Sequence, residues 1–470
     1  MEITTRIWHK RLALASLTTI RHKTALCAYN AHLDAVVHFN HDAFTALFNA
    51  WGTSDEKPIL RKSKRVIRRV DSPQIFLAAI LQAFTTGKAM MLYANPAVTA
   101  WLVETFGKTA TYRVGGQAGI IANQLADLNA SPVLYAHHLS KHFAHYLNSR
   151  ITTPTATRAG IKLTPVRDIV STDKTKVNWV FEYHKGDEIT FAGKTYKTPR
   201  SNRMILATEC PPLSGFDDEL AHHLPELGEK LQVAFMAGYH SLEPIDSEGV
   251  SFEHYLDKEA LYLQMLKSHN PNLLVHVEFI PAKFEKIEKW IYEHLENHID
   301  SLGINEIELV ELTDKLGFDK LAKQLALKQD SIAVYKAAHA VMERLNLKRI
   351  HVHNLGYSMI LISDNSKLDA QKQRTGSLFA SLVATARAEK GNEVTRGEVP
   401  NALNVQLATD GINQLTLLSI FLKKDDFTNT GIAKMKNHTI ILTPTQHSHN
   451  IKTTVGLGDT ISSTSLIAGI

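Results

Sequence analysis

Cysteine is almost missing from this chain: Cys27 and Cys210, far apart, are the only two in 470 residues. That excludes a disulfide framework and any thiolate metal cluster, and makes a reducing cytoplasm the expected location. No apolar run is long enough to span a bilayer, and Met1–Arg6 lacks the basic-then-apolar pattern of a secretory signal, so no membrane partner is expected. The 24 histidines are scattered rather than spaced as His-Glu-x-x-His or Cys/His sets. Neither sign of charge dominates. The formal balance of +5 suits small anionic substrates but is too little for nucleic acid. The densest basic run, Leu60–Arg69, has no interleaved aromatics and reads as a solvated face. No internal repeat or low-complexity tract stands out. What remains is the composition of an ordinary soluble enzyme, 44% hydrophobic and 21% charged, long enough for two domains.

The chemistry is concentrated where glycines precede helices. In Ile451–Ser463, Gly456 and Gly458 bracket Leu457 and are followed at once by Asp459 and a helix-competent segment. Amides at a helix start are unpaired and point at whatever sits there. An aspartate among them can take a proton from a hydroxyl while the amides hold the phosphoryl group that the hydroxyl attacks. The competing reading is a helix start that Asp459 merely caps. A second such start, Gly115, Gly116 and Gln117, opens a helix through Leu128. Two of them in one chain suggest a site for two ligands.

Elsewhere the segments alternate. Residues 23–29 read as a buried strand running into Asn30, His32 and Asp34, and polar groups beyond a strand's carboxyl end are placed for a ligand. Ser72, Pro73 and Gly87 punctuate a helix over 73–86. From 151 to 209 the pattern turns to alternating segments at 177–183 and 188–196, with Arg200 and Arg203 as candidate phosphate contacts. From 211 onward, strands at 231–237, 273–280, 348–352, 357–362 and 438–442 interleave with helices at 282–301, 331–345 and 377–389. This predicts a mostly parallel sheet flanked by helices. Strand ends at His276–Glu278, Asn305–Glu308 and His351–Asn354 carry carboxylates able to hold Mg²⁺ through waters.

Together, Arg113–Ile120, Pro199–Arg203, His276–Glu278, Gly303–Leu309, Arg349–His353 and Thr454–Ser462 resemble the ADP-dependent sugar kinases of the ribokinase-like superfamily. They stand in that family's order and cover most of the chain. The resemblance implies a large ribokinase-like α/β domain (1–36, 111–158 and 206–470) with a mostly parallel sheet, and a smaller α+β lid (37–110 and 159–205). It implies transfer of the β-phosphoryl of MgADP to a sugar hydroxyl, with ADP as donor, Mg²⁺ as cofactor and AMP released. Asp459 would carry the base role, with Gly456, Leu457 and Gly458 supplying anion-hole amides. Glu278 and Glu308 would carry the metal. Asn30, Asp34, Gly115, Gly116, Gln117, Asn178 and Arg203 would meet the sugar, and Arg200, His353, Tyr357 and Gly458 the nucleotide.

Departures from the family pattern choose the sugar. Members that take glucose carry a glutamate shortly after the lid's Gly-Lys, whereas here Gly87-Lys88 leads to Met91. Asn178 stands where the glucokinases place a sugar-contacting histidine. Loss of an acidic partner for a hydroxyl disfavours glucose and loss of negative charge favours a phosphorylated sugar. The expectation is an ADP-dependent phosphofructokinase acting on fructose 6-phosphate, with Arg203, and Lys162 or Arg167, near its phosphate. The alternatives are a glucokinase or bifunctional enzyme and, in another class, a sugar- or nucleotide-binding protein without turnover. The adenine region, Thr443–His449, lacks the family's usual basic residue. A monomer or small homo-oligomer is expected.

Overall fold

The computed structural model describes residues 2–51, 56–169, 174–208 and 210–470. Two main sheets divide them. The larger has eleven strands. Its centre is a parallel run, in spatial order Arg349–His353, Ser301–Asn305, Leu274–Glu278, Val233–Ala237, Thr24–Tyr29, Ser131–Tyr135 and Thr152–Thr157. Antiparallel strands extend both edges: Tyr357–Ser363, His438–Pro444 and Ile432–Lys434 on one side, Gly160–Pro165 on the other. Central strands such as Val233–Ala237 are buried throughout, as expected where helices cover both faces. Among the described residues, no helix is long and apolar enough to cross a membrane.

The smaller sheet has six strands, ordered Arg69–Val70, Met90–Ala94, Asn202–Thr208, Val177–Tyr183, His32–His38 and Thr111–Gly115. It has its own apolar core, in which Phe39, Phe76, Phe84, Trp179 and Phe181 pack together. The helix Pro73–Thr86 covers that core, opened by the Ser72 side chain accepting from the Ile75 amide and closed by Gly87 at φ 62°. A hairpin, Glu188–Phe191 with Lys194–Lys197, stands beside it.

The chain passes between the sheets at two points that matter. Thr24–Tyr29 lies in the large sheet and His32–His38 in the small one, so only Asn30 and Ala31 separate them. Thr111–Gly115 closes the small sheet and hands over through Gly116 to the helix Gln117–Asp127. The sheets therefore partition the chain differently from the sequence division. His32–His38 and Thr111–Gly115 pair wholly in the small sheet, and Gly160–Pro165 pairs in the large one.

Several expected elements are corrected. The alternating segment expected over 188–196 is the hairpin Glu188–Phe191 with Lys194–Lys197, and the helix expected over 377–389 is Ala370–Lys390. The helix expected over 282–301 is Glu285–Leu295, and the chain then enters the strand Ser301–Asn305. The strand end expected at Asn305 is present, but periodicity gave no range before it, because the strand is five residues long and lies between two parallel neighbours that satisfy its backbone on both sides. Asp300 fixes its start through Lys267 and Lys348, each 2.7 Å away.

Candidate active site

The carboxyl ends of the parallel strands and the open face of the small sheet meet over a cavity of about 240 Å³, whose walls include Asn30, Asp34, Met91, Lys176, Asn178 and Asp459. Ligands of open α/β sheets gather at such strand ends.

The helix Leu457–Ala468 brings in Asp459. Gly456 is its N-cap with φ 67°, a left-handed conformation that favours glycine. The first bond of the helix runs from the Thr460 amide to the Gly456 carbonyl at 3.0 Å. The amides of Leu457, Gly458 and Asp459 therefore lie outside the helical ladder, at the positive end of the helix. Gly456 itself supplies the turn. The Asp459 carboxyl is pushed up to about 7, first by loss of solvation and then by the negative charge of Glu278; Gln117, hydrogen-bonded to it, and Arg387 oppose that. A carboxylate poised near neutrality is suited to general-base work.

Glu278 ends the strand Leu274–Glu278. Burial works to raise its pKa, yet His353 and His276 hold it down at about 2. His353 Nε2 lies 2.6 Å from Glu278 Oε1, and His276 Nε2 lies 3.7 Å from Oε2, an ion-pair contact longer than a hydrogen bond. Among the described residues, Oε2 has no hydrogen-bond partner. It fits only because residue 303 is glycine: a Cβ there would overlap Glu278 Oε2 and Ser462 Oγ.

Glu308 sits on the first turn of the helix Glu306–Lys315. It closes a capping box, accepting from the Asn305 amide at 3.1 Å while Asn305 Oδ1 accepts from the Ile307 and Glu308 amides. Its carboxyl is pushed up to about 7 by desolvation, with the charge of Glu278 adding to the rise. One strongly ionised carboxylate with a free oxygen, beside a second whose ionisation it opposes, leaves a place for positive charge.

The small sheet contributes its open face. Asp34 Oδ1 is 3.2 Å from His32 Nε2, and Arg113 Nε is 4.0 Å from Asp34 Oδ2. His32 also hydrogen-bonds Asn30 Oδ1 at 3.2 Å and Asn178 Nδ2 at 2.9 Å. Asn178 Oδ1 accepts from the Thr208 amide at 3.2 Å. Side chains alternate across a strand, so Asp34, Asn178 and Ile205 share this face while Ala35, Trp179 and Leu206 enter the core. Lys176 also lines the cavity; burial lowers its pKa, and it forms no ion pair with a described carboxylate.

The ADP-specific phosphofructokinase/glucokinase conserved region matches residues 23–468. The chain belongs to this family. It is 30% identical to the ADP-specific phosphofructokinase of Methanosarcina acetivorans, over 94% of this chain and 92% of that one. Among solved structures it resembles the last common ancestor of ADP-dependent phosphofructokinases from Methanosarcinales, at 31% identity and TM-score 0.84, covering 98% of this chain and 97% of that one. It also resembles an ADP-dependent kinase complex with fructose-6-phosphate and ADPbetaS, at 29% identity and TM-score 0.80, covering 99% and 97%.

In this member of the ADP-dependent kinase family, the structure brings together most of the residues singled out from sequence. Asn30, Asp34, Gly116, Gln117, Asn178, Gly456 and Asp459 all line the one cavity. Gly115 pairs with His32 at its edge. Glu278 and His353 lie next to Gly458. Others stand apart. Arg200 donates from Nε to the Gly87 carbonyl at 2.7 Å. Arg203 is on the cavity face of its strand, two residues before the cavity-lining Ile205. Tyr357 is buried, with no hydrogen-bond partner for its hydroxyl among the described residues. Arg167 gives its guanidinium to the carbonyls of Leu147 and His145, and Lys162 is on the edge strand Gly160–Pro165 of the large sheet.

Sequence reasoning passed over Lys176, His240 and Arg387. Lys176 reads as surface in a polar stretch. His240 follows the strand Val233–Ala237 directly and belonged with the other strand-end candidates; it lines the cavity with its pKa lowered to about 4 by burial, and so is neutral. Arg387 is a lone charge on the buried face of the helix Ala370–Lys390, where it hydrogen-bonds Gln124 and reaches toward Gly456.

Proposed function

We propose that this protein is an ADP-dependent phosphofructokinase that moves the β-phosphoryl group of MgADP to fructose 6-phosphate, giving fructose 1,6-bisphosphate and AMP. The observation that carries the reading is the single cavity in which Asp459, at the head of a helix, faces Asp34, Asn178 and Lys176, which forms no ion pair with a described carboxylate. Asp34 and Asn178 orient the sugar hydroxyls, and Lys176 meets the sugar phosphate, with Arg203 farther out on the same face. Asp459 takes the proton of the attacking hydroxyl as the bond to phosphorus forms and the bond to the AMP oxygen breaks. The amides of Leu457, Gly458 and Asp459 stabilise the charge gathering on the transferred group. Glu278 and Glu308 fit Mg²⁺, since one has a free oxygen and the two repel each other when ionised; the ion would neutralise charge on the phosphoryl oxygens. The small sheet with its helices acts as the lid, excluding water during transfer.

Met91, half exposed at the cavity wall, supports the choice of sugar. It offers a sugar hydroxyl no acceptor and a phosphate no repulsion. A coupled assay crossing ADP and ATP with fructose 6-phosphate and glucose tests the reading. AMP formation with ADP and fructose 6-phosphate, and little with glucose, is expected. Equal rates with glucose overturn the choice of sugar; no AMP with either sugar overturns the activity.

A further inference from the structure

At the outer end of the small sheet, well away from Asp459, two histidines and an aspartate converge. His38 is the last residue of the strand His32–His38, and its register partner across the sheet is Glu182. His184 lies two residues beyond Glu182, just past the end of its strand, and a tight turn then delivers Asp187. The turn is closed by the Asp187 amide donating to the His184 carbonyl at 2.9 Å, with Gly186 at φ 93°. The Asp187 carboxylate is itself held by the His184 amide at 2.7 Å. Its Oδ2 is 3.5 Å from His38 Nε2 and 3.9 Å from His184 Nδ1, and the two imidazole rings are 4.8 Å apart.

We propose that His38, His184 and Asp187 form a binding site for a zinc-class transition-metal ion, separate from the cation site of the phosphoryl transfer. The three ligand atoms lie within 4.8 Å of one another, and no other three-residue set of His, Cys, Asp and Glu among the described residues meets that condition. Ligands about 2.0–2.2 Å from a tetrahedral ion stand roughly 3.4 Å apart, so small rotations of two exposed rings complete the set. Two imidazoles and a carboxylate select Zn²⁺, Co²⁺ or Ni²⁺, whereas Mg²⁺ takes oxygen ligands and keeps its waters. The neighbouring His41 is outside the set, since its Nδ1 accepts from the Thr190 amide at 3.3 Å.

The position gives the ion a structural role. His38 shares a face with Asp34 but is four residues farther along, about 13 Å at the rise of a strand. All three ligands belong to the small sheet and the turn beside it, so the ion ties the strand end to the turn and stiffens that rim. It has no part in the transfer of phosphate.

The test uses full-length protein stripped of metal with a chelator and titrated with Co²⁺ and with Zn²⁺, the unsubstituted chain against His38→Gln/His184→Gln. Both rings are exposed, so the substitutions leave the core intact, and Asp187, which closes the turn, is left in place. Unsubstituted protein should bind one equivalent of Zn²⁺ in calorimetry, show the visible absorption of four-coordinate Co²⁺, and melt several degrees higher with Zn²⁺. The double variant should lose all three responses yet keep its Mg²⁺-supported turnover. Zn²⁺ binding that is the same in both proteins, or absent from the unsubstituted chain, overturns the proposal.

Discussion

The eleven-stranded sheet is buried on both faces and acts through its strand ends, whereas the six-stranded sheet buries one face and acts through the other. In the large sheet, Asn30, His240, Glu278, Asn305 and His353 all follow or finish parallel strands, and Asp459 comes down from the last helix to join them. A parallel run collects such residues on one edge whatever its core contains. In the small sheet, Asp34, Met91 and Asn178 stand on strands whose next residues, Ala35, Leu92 and Trp179, enter the core. A residue there can change without disturbing the core, because its neighbours in sequence do the packing. On the proposed function, the difference separates two jobs: the strand ends would hold phosphate and metal, and the open face would choose the sugar.

The comparison can be broken by substitutions on either side, and the largest effect belongs to the strand-end side. Asp459→Ala should lower turnover roughly 10²–10⁴-fold, as loss of a general base does; near-normal turnover would reduce Asp459 to a helix-start residue. Glu278→Gln should raise the Mg²⁺ concentration needed for half-maximal rate by about 10–100-fold, read from a metal titration at saturating ADP, with the KM for sugar unmoved. On the open face, Met91→Glu sets a carboxylate near the sugar phosphate and should cut kcat/KM for fructose 6-phosphate by about tenfold, or about 1.4 kcal/mol, while improving glucose as a substrate. An equal fall for both sugars would mean that Met91 acts through packing. The smallest effect is in pH. Asp459, held up at about 7, must be deprotonated to act, so kcat/KM should fall as pH drops through 7, to about half its alkaline plateau there. That acid limb should vanish in Asp459→Ala.

Much of this was legible in the sequence because glycines mark where backbone must approach closely. The pairs at Gly115–Gly116 and Gly456–Gly458 located both helix starts of the cavity, Asp34 was read at the end of the strand before it, and Asn178 followed from the family pattern. The alternation of strands and helices gave the layered architecture. Three things were hidden for physical reasons. The extent of Ser301–Asn305 was hidden, since it is too short to show a period, although Asn305 was read as a strand end. Lys176 enters the cavity from a polar stretch indistinguishable from surface. The restraint on Glu278 comes from His353, 75 positions away, a pairing that no local spacing records. The sheet boundaries escaped as well, since the chain crosses between sheets within the two residues Asn30 and Ala31.

The division of labour can be measured most directly by titrating fructose 6-phosphate into two variants by calorimetry and comparing affinity with turnover. Asp459→Asn should bind the sugar phosphate within about twofold of the unsubstituted protein while losing turnover roughly 10²–10⁴-fold; Lys176→Met should lose about 10–100-fold in affinity, the worth of a charge-assisted contact. An Asp459→Asn protein that loses sugar binding as steeply as it loses turnover, or a Lys176→Met protein that binds fructose 6-phosphate normally, would contradict the account.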